Sequence, residues 1–294
     1  MEAWLLSGGP AVIRSCTLAE YVDAYATRRP IAPASVELLR VSCRLLASYL
    51  ERSPTLPDLS DDTLNGFVQW LEAGRRPATV KKHRANILSL WRDAWHGNLV
   101  EDPPARIRVV RLERSLPDAW TIEEIQQLIS TAEKMRGRFR KTLIPKSWFW
   151  HSMILGLWDT GLRIGDLLEV RRPRVTGDGR FRVLQRKTQH WKDCQFRRPT
   201  LELIDSGLDG RVVIWPLWAS RRDFYKAFKR IVRAARIRPG TTRWIRRSAA
   251  SYVERDHPGA ATEFLGHRDR TIADRHYIDP RIARPALHQP PELG

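Results

Sequence analysis

The first hundred residues alternate between apolar and polar positions with helical spacing. Apolar residues recur every three or four positions, which predicts four amphipathic helices at 17–29, 33–52, 61–74 and 76–98. The third stops at Gly74, and the fourth opens with Pro77 and ends at Gly97, all common helix boundaries. Prolines then interrupt residues 103–117, where we predict an exposed basic linker.

The second half mixes the helical period with strand-like stretches. Thr121 and Glu124 have the spacing of a capping box, and Gly161 ends a strongly apolar helix. The predicted helices are 121–134, 147–160, a short turn within 161–171, 220–237, 241–256, 258–266 and 271–278, and the predicted strands are 179–189 and 191–203. The sequence therefore predicts a mainly α protein with a small antiparallel β-sheet, in two domains. The predicted segments are an N-terminal extension (1–16), a helical domain (17–102), the linker (103–117), an α+β domain (118–280) and a tail (281–294).

The charge of the chain indicates a class of binding partner. The 294 residues hold 51 Lys and Arg against 33 Asp and Glu, a net charge of +18, and 42 of the 51 are arginines, which grip phosphate oxygens through two hydrogen bonds. Residues 1–116 have a net charge of +3 and residues 117–294 a net charge of +15. This asymmetry indicates nucleic acid; an Arg-rich genome would raise both halves alike.

Composition also excludes several classes of protein. No apolar run is long enough for a membrane span, and the first residues lack the pattern of a signal peptide. Three dispersed cysteines form neither a zinc motif nor a disulfide framework, so we expect a cytoplasmic protein. No nucleotide-binding or metal-binding motif is present, so we expect no cofactor.

Four motifs carry residues suited to phosphate chemistry. Arg163 follows Gly161 in TGLRIGDLLEV, and Lys187 lies near the predicted β-hairpin. Arg243 and Arg246 are three positions apart on one helix face. Taken singly, each is more simply a surface cation.

The fourth motif, LGHRDRTIADRHYIDP, places His267 ten residues before Tyr277 among several arginines. Nearby cations stabilise both a phenolate and a phosphate that it attacks. A lone tyrosine is more often a core residue with a satisfied hydroxyl.

In this order and spacing, the motifs resemble those of the tyrosine recombinase (phage integrase) family, over roughly residues 17–280. The resemblance implies a SAM-like core-binding domain followed by the family's catalytic domain, and site-specific DNA cleavage and rejoining. Arg163 and Arg246 would hold the scissile phosphate, and Lys187 would protonate the leaving 5′-oxygen. His267 would assist at the phosphate, and Tyr277 would attack phosphorus to form a 3′-phosphotyrosine.

One position departs from the family pattern. The family usually has His where this chain has Arg243, and a guanidinium cannot accept a proton. The proton of Tyr277 would then pass to water or His267, with His276 a weaker candidate. Asp166 would orient Arg163.

The resemblance also implies partners. Duplex DNA would be held by both domains, through Lys81, Lys82, Arg84, Arg106, Arg108 and Arg111. Recombination would need a homotetramer on DNA and could use an accessory DNA-bending protein, and the tail would dock on a neighbouring subunit. Two alternatives stay open: a type IB topoisomerase or telomere resolvase, and a non-catalytic DNA-binding protein with the same fold.

Overall fold

A computed structural model describes residues 16–113, 116–217 and 219–283. The chain forms two compact units, Met1–Arg114 and Ser115–Gly294, and their boundary falls inside the segment predicted as a linker. The predicted extension and tail lie outside the described residues, apart from Cys16 and residues 281–283. Within the three described ranges, no helix combines the length and apolar composition needed to cross a bilayer.

The first unit is a helical bundle, as predicted. Its helices are α1 (Leu18–Arg28), α2 (Pro33–Leu50), α3 (Asp61–Glu72) and α4 (Pro77–His96), with a short 3-10 helix at Leu56–Asp58. Thr17 and Glu20 form a capping box at the start of α1. The apolar faces meet in a core that includes the fully buried Tyr21, Phe67 and Trp91.

The segment predicted as an exposed linker is mostly exposed, and its backbone is hydrogen-bonded to this unit over residues 105–110, the docked segment. The Asp61 carboxylate accepts hydrogen bonds from the backbone N–H groups of Ala105 (3.1 Å) and Arg106 (2.7 Å). Val110 is buried in the core of the bundle. Prolines and charges mark irregular, exposed backbone, but they do not show that this backbone is also held by side-chain acceptors.

The second unit is mainly helical and carries one small sheet. Its elements in chain order are α5 (Ile122–Glu133), α6 (Lys146–Thr160), α7 (Ile164–Leu167), a 3-10 helix (Arg172–Arg174), β1 (Arg180–Gln185), β2 (His190–Gln195), α8 (Arg198–Ser206), α9 (Arg221–Ala234), α10 (Thr242–Asp256), α11 (Ala261–Leu265), α12 (Arg270–His276) and α13 (Pro280–Ala283). The capping box predicted at Thr121 is present. Helix α6 buries side chains on every face and forms the centre of the unit.

Strands β1 and β2 form an antiparallel hairpin whose two faces differ. On the inner face Gln185 pairs with His190 and Val183 pairs with Lys192; on the outer face Leu184 pairs with the exposed Trp191. The second predicted strand was too long, because residues 198–206 form α8. The helix begins after the extended N-cap Arg197, with Pro199 in its first turn, and a proline near extended backbone is compatible with a helix start as well as with a strand end.

Candidate active site

The end of helix α6 fixes the first part of the site. Gly161 ends the helix in the left-handed conformation (φ +57°), and a Cβ there would lie 2.5 Å from the Phe264 ring. The glycine carbonyl accepts a hydrogen bond from the Arg246 guanidinium. Arg163 lies two residues later, at the N-cap of α7. The sharp turn therefore brings a backbone acceptor and a first cation to the same place.

Arg163 is oriented by an amide as well as by a carboxylate. Its Nη1 donates to Gln185 Oε1 at 2.7 Å, whereas the nearest Asp166 oxygen is 3.9 Å away. The other carboxylate oxygen of Asp166 accepts from the backbone N–H of Arg186 at 3.1 Å. Asp166 thus holds the hairpin turn more closely than it holds Arg163.

Helix α10 supplies two further cations. Arg246 is 1% exposed, and its Nη2 donates to the Leu265 carbonyl (3.0 Å) and to His267 Nε2 (3.2 Å). Its Nε is buried without a partner among the described residues. Arg243 lies one turn earlier on the same face and is exposed.

Tyr277 lies among these groups, immediately after α12. The side chain is 8% exposed, and its ring centroid is 4.9 Å from the Arg246 guanidinium carbon, 5.4 Å from that of Arg243 and 4.9 Å from the His267 ring. The buried Asp279 accepts hydrogen bonds from Arg281 and from the N–H of Ala119, which anchors the segment that carries the tyrosine.

The surrounding charges make Tyr277 more acidic than a free tyrosine and keep His267 neutral. Burial opposes ionisation of Tyr277, but the charges of Arg246, Arg163 and Arg243 outweigh it and lower the pKa of the phenol. Burial, and then the charges of Arg246, Arg163 and Lys192, lower the pKa of His267 to about 4. Neutral His267 receives a hydrogen bond from Arg246 at Nε2, so Nδ1 carries its proton. Its one acceptor nitrogen is therefore already occupied.

A cavity of about 530 Å³ joins the predicted residues. Arg163, Lys187, Arg243, Arg246 and Tyr277 all line it. Lys187 lies in the exposed turn between β1 and β2. His267 does not line the cavity, but it contacts Arg246 and Tyr277 from behind.

Two lysines at the site were missed by the sequence analysis. Lys229 of α9 is exposed and lines the same cavity. Lys192 lies on the inner face of β2, 6% exposed, with its Nζ bonded to the Thr160 carbonyl. Burial, together with the positive charges of Arg246 and Arg163, lowers the pKa of Lys192 to about 8. Strand alternation alone would have placed this lysine on the buried face.

His276, the weaker candidate for the base, does not line the cavity. Its side chain is exposed, and its carbonyl accepts a hydrogen bond from Arg247 at 3.0 Å. Nearby arginines and partial burial lower its pKa. Among the described residues, no group of histidine, cysteine and acidic side chains could hold a metal ion.

The predicted DNA-binding residues of the first unit fall into two groups. Lys81, Lys82, Arg106 and Arg111 are exposed. Arg108 is exposed too but pairs with Glu72 at 3.2 Å. Arg84 is half-buried, and its Nε donates to the Arg108 carbonyl at 2.7 Å, with a longer bond to Ile107. The Arg84 guanidinium is therefore committed to holding the docked segment.

Comparison with known sequences gives one partial match. No family model matches the chain. A 176-residue stretch is 24% identical to tyrosine recombinase XerD of Rhizobium meliloti (strain 1021), covering 58% of this chain and 56% of that protein. The match thus spans little more than half the length of the relative.

Comparison of structures covers nearly the whole chain. A lambda integrase dimer bound to a COC′ core site superimposes with a TM-score of 0.72 and 19% identity, over 96% of this chain and 82% of that one. The recombinase XerH bound to palindromic difH substrate, in a post-cleavage complex, gives 0.70 and 15%, over 91% and 83%. The Tn1549 transposon integrase with circular intermediate DNA gives 0.68 and 13%, over 89% and 95%. The chain has the tyrosine recombinase fold.

Within the recombinase fold, the departure at position 243 has a clear geometry. The guanidinium of Arg243 faces the Tyr277 ring, where it adds positive charge. An imidazole at that position could accept the phenolic proton, whereas the arginine can only stabilise the phenolate. The resemblance seen in the motifs is confirmed at the level of the fold. The difference at position 243 lies next to Tyr277.

Proposed function

We propose that the chain is a site-specific DNA recombinase or integrase that cleaves and rejoins DNA through a 3′-phosphotyrosine. One observation supports this most strongly: Arg163, Lys187, Arg243 and Arg246, from separate parts of the unit, line one cavity with Tyr277. A cavity lined by cations suits a phosphodiester, and Tyr277 is the phenol whose ring lies against the guanidinium groups of Arg243 and Arg246.

The proposed step is an in-line exchange at phosphorus. The Tyr277 oxygen forms a bond to phosphorus while the bond from phosphorus to the 5′-oxygen breaks. Arg163 and Arg246 stabilise the charge on the non-bridging oxygens, and Lys187 gives a proton to the leaving 5′-oxygen. The reverse step, from a 5′-hydroxyl of another strand, releases Tyr277 and restores the phosphodiester, so no nucleotide is consumed.

The phenolic proton of Tyr277 passes to solvent in this proposal. His267 is a poor base, because its acceptor nitrogen is bonded to Arg246 and its pKa is about 4. The three arginines around the ring lower the pKa of Tyr277 instead. The cleavage rate should therefore rise with pH as the phenol ionises, at a pH below the ordinary tyrosine pKa of about 10, rather than follow ionisation of a histidine.

DNA contact would extend over both units. We propose that Lys81, Lys82, Arg106 and Arg111 contact phosphates, joined by Lys229 beside the cavity. The XerD relative and the DNA-bound structural neighbours support double-stranded DNA as the partner. A tetrameric assembly, like that of the lambda integrase bound to a Holliday junction, a role in a mobile element and docking of the C-terminal tail on a neighbouring subunit belong to the same proposal.

The test is covalent trapping on nicked duplexes built from the DNA that flanks the gene. Wild-type protein should form a covalent adduct, and Tyr277→Phe should form none. Tyr252→Phe is the matched control: Tyr252 lies in the same unit, where its hydroxyl accepts from the Ile122 N–H, and does not line the cavity. This control should trap DNA as the wild type does.

Three outcomes would contradict the proposal. An adduct that persists in Tyr277→Phe would assign the nucleophile elsewhere. Salt-sensitive DNA binding without any adduct from the wild type would favour the non-catalytic alternative. A relaxed plasmid with no exchange between two sites would favour the topoisomerase alternative.

A further inference from the structure

We infer that Gln185 is a positioning residue that aligns Arg163 with the hairpin turn carrying Lys187. This inference rests on the proposed function. Gln185 is the last residue of β1 and is 0% exposed on the inner face of the hairpin. It does not line the cavity, so it would act through its neighbours.

The single amide of Gln185 joins three parts of the site. Its Oε1 accepts from Arg163 at 2.7 Å and from the Thr188 hydroxyl at 3.0 Å. Its Nε2 donates to the Leu265 carbonyl at 3.1 Å. The Leu265 carbonyl also accepts a hydrogen bond from Arg246, so the Gln185 amide and the Arg246 guanidinium share this one acceptor.

The closing turn is built around this amide. Gln185 also accepts the backbone bond from Gln189 that closes the turn, and Thr188 is adjacent to Lys187. Gly266 packs directly against the amide: a Cβ there would lie 2.6 Å from Gln185 Nε2, and its φ is +65°. A side chain at position 266 would displace the amide, so the glycine makes room for it.

A neutral amide suits this role better than a carboxylate. A carboxylate would hold Arg163 but would offset the charge that the phosphate needs, and it could not donate to Leu265. The amide orients the guanidinium and leaves its charge intact. Asp166, the nearby carboxylate, is farther from Arg163 and holds the Arg186 N–H instead.

The first test compares Gln185→Met with Thr188→Val in the full-length chain, on the duplex that traps the wild type. Gln185→Met keeps the volume but loses all three contacts. Thr188→Val loses the contact on the turn side alone. A misplaced catalytic group typically costs on the order of 100-fold in rate, so we expect about 100-fold slower adduct formation for Gln185→Met and about 10-fold for Thr188→Val. Gln195→Met is the control, since Gln195 lies on the exposed face of the same hairpin.

A second substrate separates the contact of Gln185 with Arg163 from its contact with the turn that carries Lys187. A 5′-bridging phosphorothiolate leaves as a thiolate and needs little protonation, so it should rescue Lys187→Ala and Thr188→Val. Gln185→Met should remain about 10-fold slow on it, because Arg163 is still misplaced. Full rescue of Gln185→Met would overturn the link to Arg163. A rate within threefold of the wild type on both substrates would overturn the inference altogether.

A third measurement does not depend on activity. Trypsin can cut after Arg186 and Lys187, which are exposed in the turn. Gln185→Met should be cut there at least several-fold faster than the wild type and Gln195→Met, with unchanged near-UV circular dichroism. Equal cutting would overturn the positioning role. If the wild type forms no adduct on any DNA, the proposed function fails, and this measurement still decides whether Gln185 holds the turn.

Discussion

The first unit (the helical unit) and the second unit (the larger unit) both bury polar side chains, but they differ in the hydrogen-bond partners that those side chains have. In the helical unit, buried His83 bonds to Ser42 at 2.9 Å, and Asn86 completes the network by donating to Ser42. Asp93 accepts from Tyr21 and from two arginines. The polar groups of these two networks are partnered by oxygen or nitrogen atoms of the same bundle.

The larger unit buries cations without carboxylate partners. Arg246 and Lys192 are bonded to backbone carbonyls, and no described carboxylate lies within ion-pairing distance of either. Arg246 Nε, His267 Nδ1 and one Asp166 oxygen are buried without a hydrogen bond among the described residues. Such groups are costly to keep, and two of them, Arg246 and His267, contact Tyr277, which supports the proposal that this part of the unit binds a ligand.

Among the substitutions that test this contrast, Arg163→Ala is expected to have the largest effect, which is on the rate of adduct formation. Removing one preorganised donor from a transition state typically costs on the order of 10²–10³ in rate. Adduct formation on nicked duplexes should fall by that factor, while DNA affinity in a filter-binding assay stays close to that of the wild type. Arg28→Ala, which removes an arginine paired with Asp93, should leave adduct formation unchanged. Equal loss in both variants would remove the distinction between the units.

Lys192→Met should show how much the buried ammonium group of Lys192 reduces the free energy of unfolding. The folded pKa is about 8 and the ordinary value is 10.5, so the unfolded chain binds more protons between these values and the wild type gains stability as pH rises from 8 to 10.5. The methionine variant has no such group. The difference in unfolding free energy between the two proteins should therefore change by up to about 3 kcal/mol between pH 7 and pH 10.5, in favour of the wild type at high pH.

Urea unfolding at a series of pH values measures this difference. Lys187→Met is the control, because Lys187 lies in an exposed turn. A pH-independent difference for Lys192→Met would mean that the buried ammonium costs the fold nothing.

Arg84 and Lys81 should behave differently although both were predicted to contact DNA. Arg84→Ala leaves the carbonyls of Ile107 and Arg108 without their donor, which should cost about 1–3 kcal/mol of stability. Lys81→Ala should keep stability and reduce the slope of log affinity against log salt by about 1. The opposite pattern would make Arg84 a phosphate contact.

The motifs and the hidden partners were not equally predictable. Arg163, Arg246, His267 and Tyr277 could be found from sequence because each lies in a local motif, and the order of the motifs is itself a signal. Gln185 could not, since its role depends on hairpin register and on a carbonyl 80 residues away. In the sequence, Arg84 cannot be distinguished from an arginine on the exposed face of a helix. Its hydrogen-bond partners become apparent only from the path of the docked segment in the structure.

His83 provides the smallest of the expected effects and the counterpart to Lys192. Burial, and then the charges of Lys82 and Arg75, lower the pKa of His83. The unfolded chain therefore binds more protons as pH falls below the ordinary histidine value of about 6.5, so the helical unit loses stability towards acid. His83→Gln should be less sensitive between pH 7 and pH 5, by less than the Lys192 difference, in urea unfolding at both values. His96→Gln, at the exposed end of α4, is the control. If His83→Gln loses as much stability in acid as the wild type, the buried network with Ser42 tolerates the proton, and the two units differ less than their hydrogen bonds indicate.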